Sequence, residues 1–506
     1  MNREQPLPVG DQPVSDQSLS RIQPQIKLPA AAQPKVSVVI PAYKQAAYLG
    51  AALESVLGQR YDNLEVIVVN DASPDETNAV VARYPDPRIS LIEHRENRGL
   101  PAARNTGLRA ATGTIFALLD ADDFFHQDKI QAHVDFLREN PQVDVSYNAR
   151  YEVNETGGTL ALWRPPTTAT LRDMVMGFPF APSDMVLRRE WAWQVDLFDE
   201  RYTAMSEDLD INCRLALAGC RFGGIDQALN YRRYYPNRVI RNVPDRVQGA
   251  ERALNTLFST PACPAEILAL RDVAFANLYL VWSYEAALAT LTDLTQRWLA
   301  EAARLDPTLL ADNGARLHEF LIDRSIQDGG DHAQAIEQLM AQLPGELQWF
   351  ATQTAQIVAA ANLRAGIREV MWGRAAQGEL LLKRATFSNS SIDQSLLRLL
   401  VDQLLNYQHM VGDDAAQAAL HRLTKSLRTV AAPRAVQWMA GCYWLNRGLQ
   451  RVQHADYSGA RANILQAFQA DPTTMRNRGA WSTLVKTLKP VPPDKFASAY
   501  GATQGQ

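Results

Sequence analysis

At 506 residues the chain has room for two to four domains. A net charge of −4 on an ordinary globular composition, 46% hydrophobic and 21% charged, gives no basis for binding nucleic acid. No eighteen-residue apolar window is present to span a bilayer, and the four cysteines (Cys213, Cys220, Cys263, Cys442) show no metal-type spacing. Reduced core thiols suit a cytoplasmic compartment, with peripheral attachment to the inner face of a membrane left open.

Residues 1–34, rich in Gln, Pro and Ser without an apolar core, are expected to be a disordered tail, neither signal peptide nor anchor. From Val36 short apolar runs alternate with helical periodicity. Val36–Ile40 is expected as a strand, followed by a helix through Tyr48–Leu57. A strand over Glu65–Val69 precedes a helix at about Glu76–Tyr84. A third strand, Ile89–Ile92, precedes a helix over Ala102–Ala111, and Ile115–Leu119 is a fourth. Runs so continuously apolar belong to strands covered on both faces. Strand–helix–strand order predicts an α/β, doubly wound, mostly parallel sheet.

Beyond about residue 250 strand signals vanish, and apolar residues recur at three and four. An all-α region over 250–506 is expected, separate from an α/β domain over 35–245. Within it Trp444, Gly448, Ala460, Ile464, Ala467 and Pro472 fall at positions 4, 8, 20, 24, 27 and 32 of a 34-residue frame starting at Gly441. That pattern resembles one tetratricopeptide-like unit near 441–474, with Arg447 and Arg451 as departures and Gly378, Leu382 and Ala385 as a weak echo. An ordinary helical hairpin is the alternative.

Four short stretches carry the chemistry. A strand enters Pro41-Ala42-Tyr43, where proline must end or turn it. Another delivers Asn70-Asp71-Ala72-Ser73. Asn97-Arg98-Gly99 leads into Ala103-Arg104-Asn105. The fourth is Asp120-Ala121-Asp122-Asp123, three carboxylates at a strand tip, which call for a cation or a solvated exit. Hard divalent ions favour such oxygen ligands, while a capped acidic loop is the plain alternative. The carboxyl ends of parallel strands share one edge, where open α/β sheets bind ligands.

In order and spacing these stretches resemble the family 2 glycosyltransferases, inverting enzymes of the GT-A fold that use nucleotide sugars. The resemblance covers roughly residues 35–240. It implies that Pro41, Ala42 and Tyr43 line the nucleoside and Asp71 accepts from a uracil-type N–H, so that a UDP-sugar is favoured. Asp120 and Ala121 are implied on the donor side, with Arg104 adding charge there or serving as an ordinary helix-surface arginine. Asp122 and Asp120 are implied as ligands of Mn²⁺ or Mg²⁺, with Asp123 in support. Downstream, Ser206-Glu207-Asp208-Leu209-Asp210 opens a helix ended by Gly219. Asp208 matches the family's general base and Glu207 is the runner-up, while Asp210 reads as an ion pair with Arg214.

Tyr234 stands where the family often has histidine after Tyr231-Arg232. Arg232, Arg233 and Arg238 are alternative holders of the diphosphate, or a solvated basic loop. Ala181–Arg189 resembles the acceptor-side segment, with Trp163, Phe178, Phe180, Trp191 and Trp193 nearby as sugar-stacking or core aromatics. The acceptor implied is a glycan, a lipid-linked or a protein hydroxyl, and the helical region is a candidate surface for a protein partner. Two other functions compete. A helical-repeat interaction protein with a weakly active transferase-like domain is one. A dinucleotide oxidoreductase is the other, and it fails because no G-x-G-x-x-G follows the first strand.

Overall fold

The computed structural model describes residues 33–177, 180–202, 206–234, 243–327, 331–386, 394–428, 431–453 and 456–488. The expected tail over 1–34 lies almost wholly outside the described residues, as do Phe178 and Arg238.

The first half alternates as its apolar runs dictate: β1 (Val36–Ala42), α1 (Ala46–Leu57), β2 (Leu64–Asn70), α2 (Thr77–Val81), β3 (Ile89–Glu93), α3 (Leu100–Ala110) and β4 (Ile115–Leu118). After these come β5 (Phe124–Phe125), α4 (Lys129–Glu139), β6 (Val145–Val153), β7 (Thr159–Trp163), β8 (Thr168–Ala169), α5 (Leu171–Gly177), β9 (Met185–Arg188), α6 (Arg189–Gln194), α7 (Glu207–Leu217) and β10 (Phe222–Arg233). All ten strands join one sheet in the order β3-β2-β1-β4-β9-β6-β10-β5, with β7 on β6 and β8 on β10. The long ladders β3-β2-β1-β4 and β6-β10 are parallel, and β9 is inserted antiparallel between β4 and β6. Two-sided covering is visible in β1. Val39 joins one apolar core, while Val36, Val38 and Ile40 join the core on the opposite face, the two-residue period of a strand.

Pro41 does not end β1. It keeps ladder register with Val69, and the strand runs on to Ala42. The reason is directional. Val39 accepts Leu119 N–H on the β4 side, whereas Ala42 accepts Asp71 N–H on the β2 side. Pro41 therefore faces the β4 side, past the last β4 partner at Val39, and its missing donor breaks no ladder bond.

The second half is helical from Val243 onward. The expected division at 245–250 falls inside the helix Val243–Ser259, whose Leu254, Leu257 and Phe258 share a core with Cys213 and Leu215 of α7. All four cysteines are free thiols. Among the described residues no helix is long and apolar enough to cross a membrane. The 441–474 frame is an antiparallel pair, Pro433–Gln453 against Tyr457–Ala470. A Cβ at Gly448 would lie 2.9 Å from Ile464 Cγ1 and 3.2 Å from the Ala460 carbonyl, so the small residue is what lets the backbones meet. The echo at Gly378, Leu382 and Ala385 lies on a second such pair, Thr354–Met371 with Ala375–Thr386.

Candidate active site

The strand ends gather the predicted stretches along one edge. Beyond β1 the chain turns through Lys44, whose N–H donates to Ser73 Oγ at 2.8 Å. Pro41 and Ala42 are buried, so of the first trio only Tyr43, 40% exposed, presents its side chain, with Lys44 Nζ 5.0 Å from its ring centre.

Asp71 is buried and already employed. Its Oδ1 accepts from Arg98 N–H at 2.8 Å and meets His94 Nδ1 at 2.6 Å, and its Oδ2 accepts from Gly99 N–H at 2.8 Å. His94 Nε2 meets Thr106 Oγ1 at 2.8 Å. With Nδ1–H donating to the carboxylate, Nε2 accepts from the threonine hydroxyl. The carboxylate thus pins the start of α3 to the end of β2. Oδ1 takes two donors and Oδ2 one, which leaves Oδ2 acceptor capacity toward the edge. Sequence reasoning missed His94, although its position one residue past a strand was a usable signal.

Arg104 is the largest correction. Expected on the donor side, it is 1% exposed and contacts no open surface. Its Nη2 donates to Asp120 Oδ1 at 2.7 Å, its Nη1 donates to Glu207 Oε1, and its plane lies 5.4 Å from the Phe198 ring centre. Burial disfavours its charge, but Asp120 and Glu207 outweigh that and hold it protonated. One guanidinium therefore joins the acid cluster after β4 to the acid cluster opening α7. The neighbouring Asn105 fastens the approach to α7, giving Nδ2–H to the Phe198 carbonyl at 2.8 Å and taking Phe198 N–H at 2.9 Å.

The three acids of this edge, and the alanine among them, differ in environment. Asp120 keeps 23% of its side chain exposed. Ala121 is buried in the apolar core and can offer only its main chain. Asp122 is mostly buried, and its carbonyl accepts Arg233 Nε–H at 3.0 Å. Asp123 is structural: Oδ2 accepts from Ser183 Oγ at 2.9 Å and Oδ1 from Arg233 N–H at 3.0 Å. Among the described residues no group of three or more His, Cys, Asp or Glu side chains is arranged to hold a metal. Asp120 and Asp122 supply carboxylate oxygens, the ligand type that hard divalent ions prefer.

At the head of α7, Ser206 takes φ +74° and the three acids that follow, Glu207, Asp208 and Asp210, diverge. Glu207 is buried against Arg104. Asp210 pairs with Arg214 at 2.6 Å, as expected. Asp208 is half-buried between them. Burial and then the Glu207 carboxylate push its pKa up to about 7, with Arg104 pulling the other way and Asp120 adding to the rise. A carboxylate poised there suits proton abstraction near neutral pH. The helix ends at Leu217, followed by Gly219 at φ +90°, as its sequence predicts.

The basic loop also reads differently in three dimensions. Arg233, expected near a diphosphate, is buried, with Nη1 on the Glu155 carbonyl and its plane 4.9 Å from the Tyr48 ring centre. Tyr234 N–H donates to the Val153 carbonyl at 2.6 Å. The segment Ala181–Arg189 passes beneath the acids, and Ser183 Oγ accepts Asp120 N–H at 3.1 Å. Phe180 stacks on Tyr147 in the core, leaving Trp193, 42% exposed, as the open aromatic nearby.

Residues 37–196 match the model of Glycosyl transferase family 2. An uncharacterized glycosyltransferase of Rickettsia conorii is 37% identical over 124 residues, 24% of this chain and 20% of that protein. Succinoglycan biosynthesis protein ExoO of Rhizobium meliloti is 32% identical over 171 residues, 33% of this chain and 49% of its own length. The chain thus spans between a fifth and a half of the length of these two relatives. Among solved structures, S. aureus TarS 1–349 in complex with UDP aligns at 19% identity and TM-score 0.39, over 66% of this chain and 91% of that one. A Pyrobaculum calidifontis mannosyltransferase in complex with GDP-Man and Mn²⁺ aligns at 19% identity and TM-score 0.40, over 67% and 91%.

Proposed function

We propose that this chain, whose residues 37–196 form a family 2 glycosyltransferase domain, moves a single sugar from a nucleotide-sugar donor to an acceptor hydroxyl with inversion at the anomeric carbon. The observation that carries this reading is the Arg104 bridge. It holds Asp120 on one side and Glu207 on the other, and leaves the neighbouring Asp208, whose Oδ1 accepts only Leu209 N–H at 2.8 Å, within electrostatic reach of Asp120.

The roles follow from environment. Tyr43 presents a face for the base, and Asp71 Oδ2 retains capacity for a uracil-type N–H, which favours a UDP-sugar. Asp122 and Asp120 are the residues that would hold a divalent cation, Mn²⁺ or Mg²⁺, which supplies Lewis-acid neutralisation of charge on a diphosphate leaving group. Asp208 removes the proton from the acceptor hydroxyl as that oxygen attacks the anomeric carbon. The bond from that carbon to the diphosphate oxygen breaks, its electron pair leaves with the nucleoside diphosphate, and the configuration inverts. Glu207 is not suited to be the base, because the buried Arg104 already engages it. Arg104 positions both acid clusters without touching donor.

The test is a panel of UDP-, GDP- and dTDP-sugars with Mn²⁺ or Mg²⁺, read by mass spectrometry for released nucleoside diphosphate and transferred sugar. Turnover of one donor class is expected. Neither binding nor turnover across the panel would instead favour an interaction protein carrying an inactive transferase-like domain.

A further inference from the structure

Behind the acid edge a cleft of about 530 Å³ opens between the β6–β7 hairpin and the helical half. Its wall includes Asn154 and Thr159 of the hairpin, together with His332, Arg368, Arg374 and Arg384. These side chains come from three helices and a turn: His332 from His332–Met340, Arg368 from Thr354–Met371, Arg384 from the last turn of Ala375–Thr386, and Arg374 from the residue just before that helix.

The two carboxylates in the wall are already engaged. Asp331 caps its own helix, accepting from Ala333 N–H at 3.0 Å and Gln334 N–H at 3.2 Å. Glu369 is gripped by Arg374, whose Nη2 donates to it at 2.9 Å, and whose Nη1 also donates to the Thr159 carbonyl at 2.7 Å. Arg374 is thus the tie between hairpin and helices. The remaining positive groups have less to balance them. Arg368 gives Nη1–H to the Ile326 carbonyl at 2.7 Å and lies 3.6 Å from Glu369, but its buried Nε has no partner. Arg384 is exposed, and His332 Nε2 meets Asn362 Oδ1 at 3.1 Å. The three sense one another: burial first, then the charges of Arg368 and Arg384, hold His332 below its usual pKa.

The cleft also borders the acid edge. Arg233 spans from the Asp122 carbonyl to the Glu155 carbonyl, in the turn between β6 and β7. The hairpin therefore stands between the acids and the cations.

We infer that this cleft is an oxyanion site, for a phosphate or carboxylate group carried by the acceptor, built from Arg368 and Arg384, with the neutral His332 as part of its wall. It rests on the transferase reading for the word acceptor, though the site itself does not depend on it. Guanidinium forks on adjacent helices suit planar or tetrahedral oxyanions.

The experiment is calorimetric titration of the full chain with inorganic phosphate and, separately, with glucuronate, which distinguishes phosphate from carboxylate. Saturable binding of at least one probe is expected. Affinity should fall roughly tenfold or more in R368Q/R384Q and roughly threefold in R384Q, whose exposed side chain leaves folding intact. D122N should bind the probe unchanged. Loss in D122N with R384Q unaffected would place the oxyanion at the donor end and overturn the inference. Equal affinity in all variants, or binding of neither probe, would overturn it as well. Donor hydrolysis measured on the same proteins tests the transferase reading independently.

Discussion

Two fully buried arginines, one in each half, show what context does to the same chemistry. Arg104 and Arg447 are each 1% exposed. In the helical half, Arg447 Nη2 and Arg451 Nη2 both grip Asp413, the first residue of the helix Asp413–Leu427, and Arg447 lies 5.5 Å from the Trp444 ring centre. These are the two departures from the repeat pattern, and together they lock two neighbouring helices. Asp413 keeps 39% of its side chain exposed and has three partners, Arg447, Arg451 and Gln408 Nε2–H at 2.9 Å. Arg104 instead separates two acids, and a third carboxylate beside them is left to act. The lesson is that a buried cation fastens structure when its anion is shared and solvated. It organises chemistry when it leaves one acid over.

Asp208→Asn should break the contrast most severely, lowering transfer by about 10²–10⁴-fold while donor binding by calorimetry persists. Transfer at the wild-type rate would move the base elsewhere. Arg104→Met leaves Asp120 and Glu207 facing each other without a counter-charge, and a loss of about 3–5 kcal/mol is expected in thermal unfolding. Arg447→Met should cost less, about 1–2 kcal/mol, because Asp413 retains Arg451 and water. Equal losses would show that the two bridges do the same work.

The pH profile sharpens the comparison further. Asp208 must be deprotonated to act, so kcat/KM should rise with pH along a limb near 7. Arg104 lowers that pKa, so Arg104→Lys, if it holds the acids more loosely, moves the limb upward. Folding responds with the opposite sign. A carboxyl raised to about 7 keeps its proton in the folded chain after the unfolded chain has lost it, so its cost to stability grows from about pH 4 to pH 7. Asp208→Asn should therefore raise the unfolding midpoint at pH 8 and leave it nearly unchanged at pH 4. Gly448→Ala should cost about 1–3 kcal/mol through overpacking against Ile464, read by the same unfolding assay.

Much of this was legible because the informative residues sit at strand ends. The first four strands and their helices fall within two or three residues of the apolar runs, and the edge that gathers Tyr43, Asp71 and Asp120 follows from parallel order alone. Orientation was not legible. Arg104 and Arg233 lie in motifs that read as phosphate-facing, yet both point inward, because the sequence does not say which long side chains are enclosed when the head of α7 and the β6–β7 hairpin fold over them. β9 itself escaped notice as an antiparallel strand, since a four-residue apolar run carries no direction. In the helical half, packing glycines were readable by spacing, whereas the pairing of Arg447 with Asp413 depends on a contact 34 residues away.

The eleven residues of α3 have a mechanical meaning. The helix entrance is pinned to β2 through Asp71, its middle holds both acid clusters through Arg104, and a side chain at Gly107 would collide with Val39 Cγ1 of β1. α3 is thus a gauge block. It sets, as one rigid dimension, the gap between the end of β2 at Asp71 and the head of α7 at Glu207. The two ends cannot drift apart independently, and a change in the width of that gap would have to be made in α3.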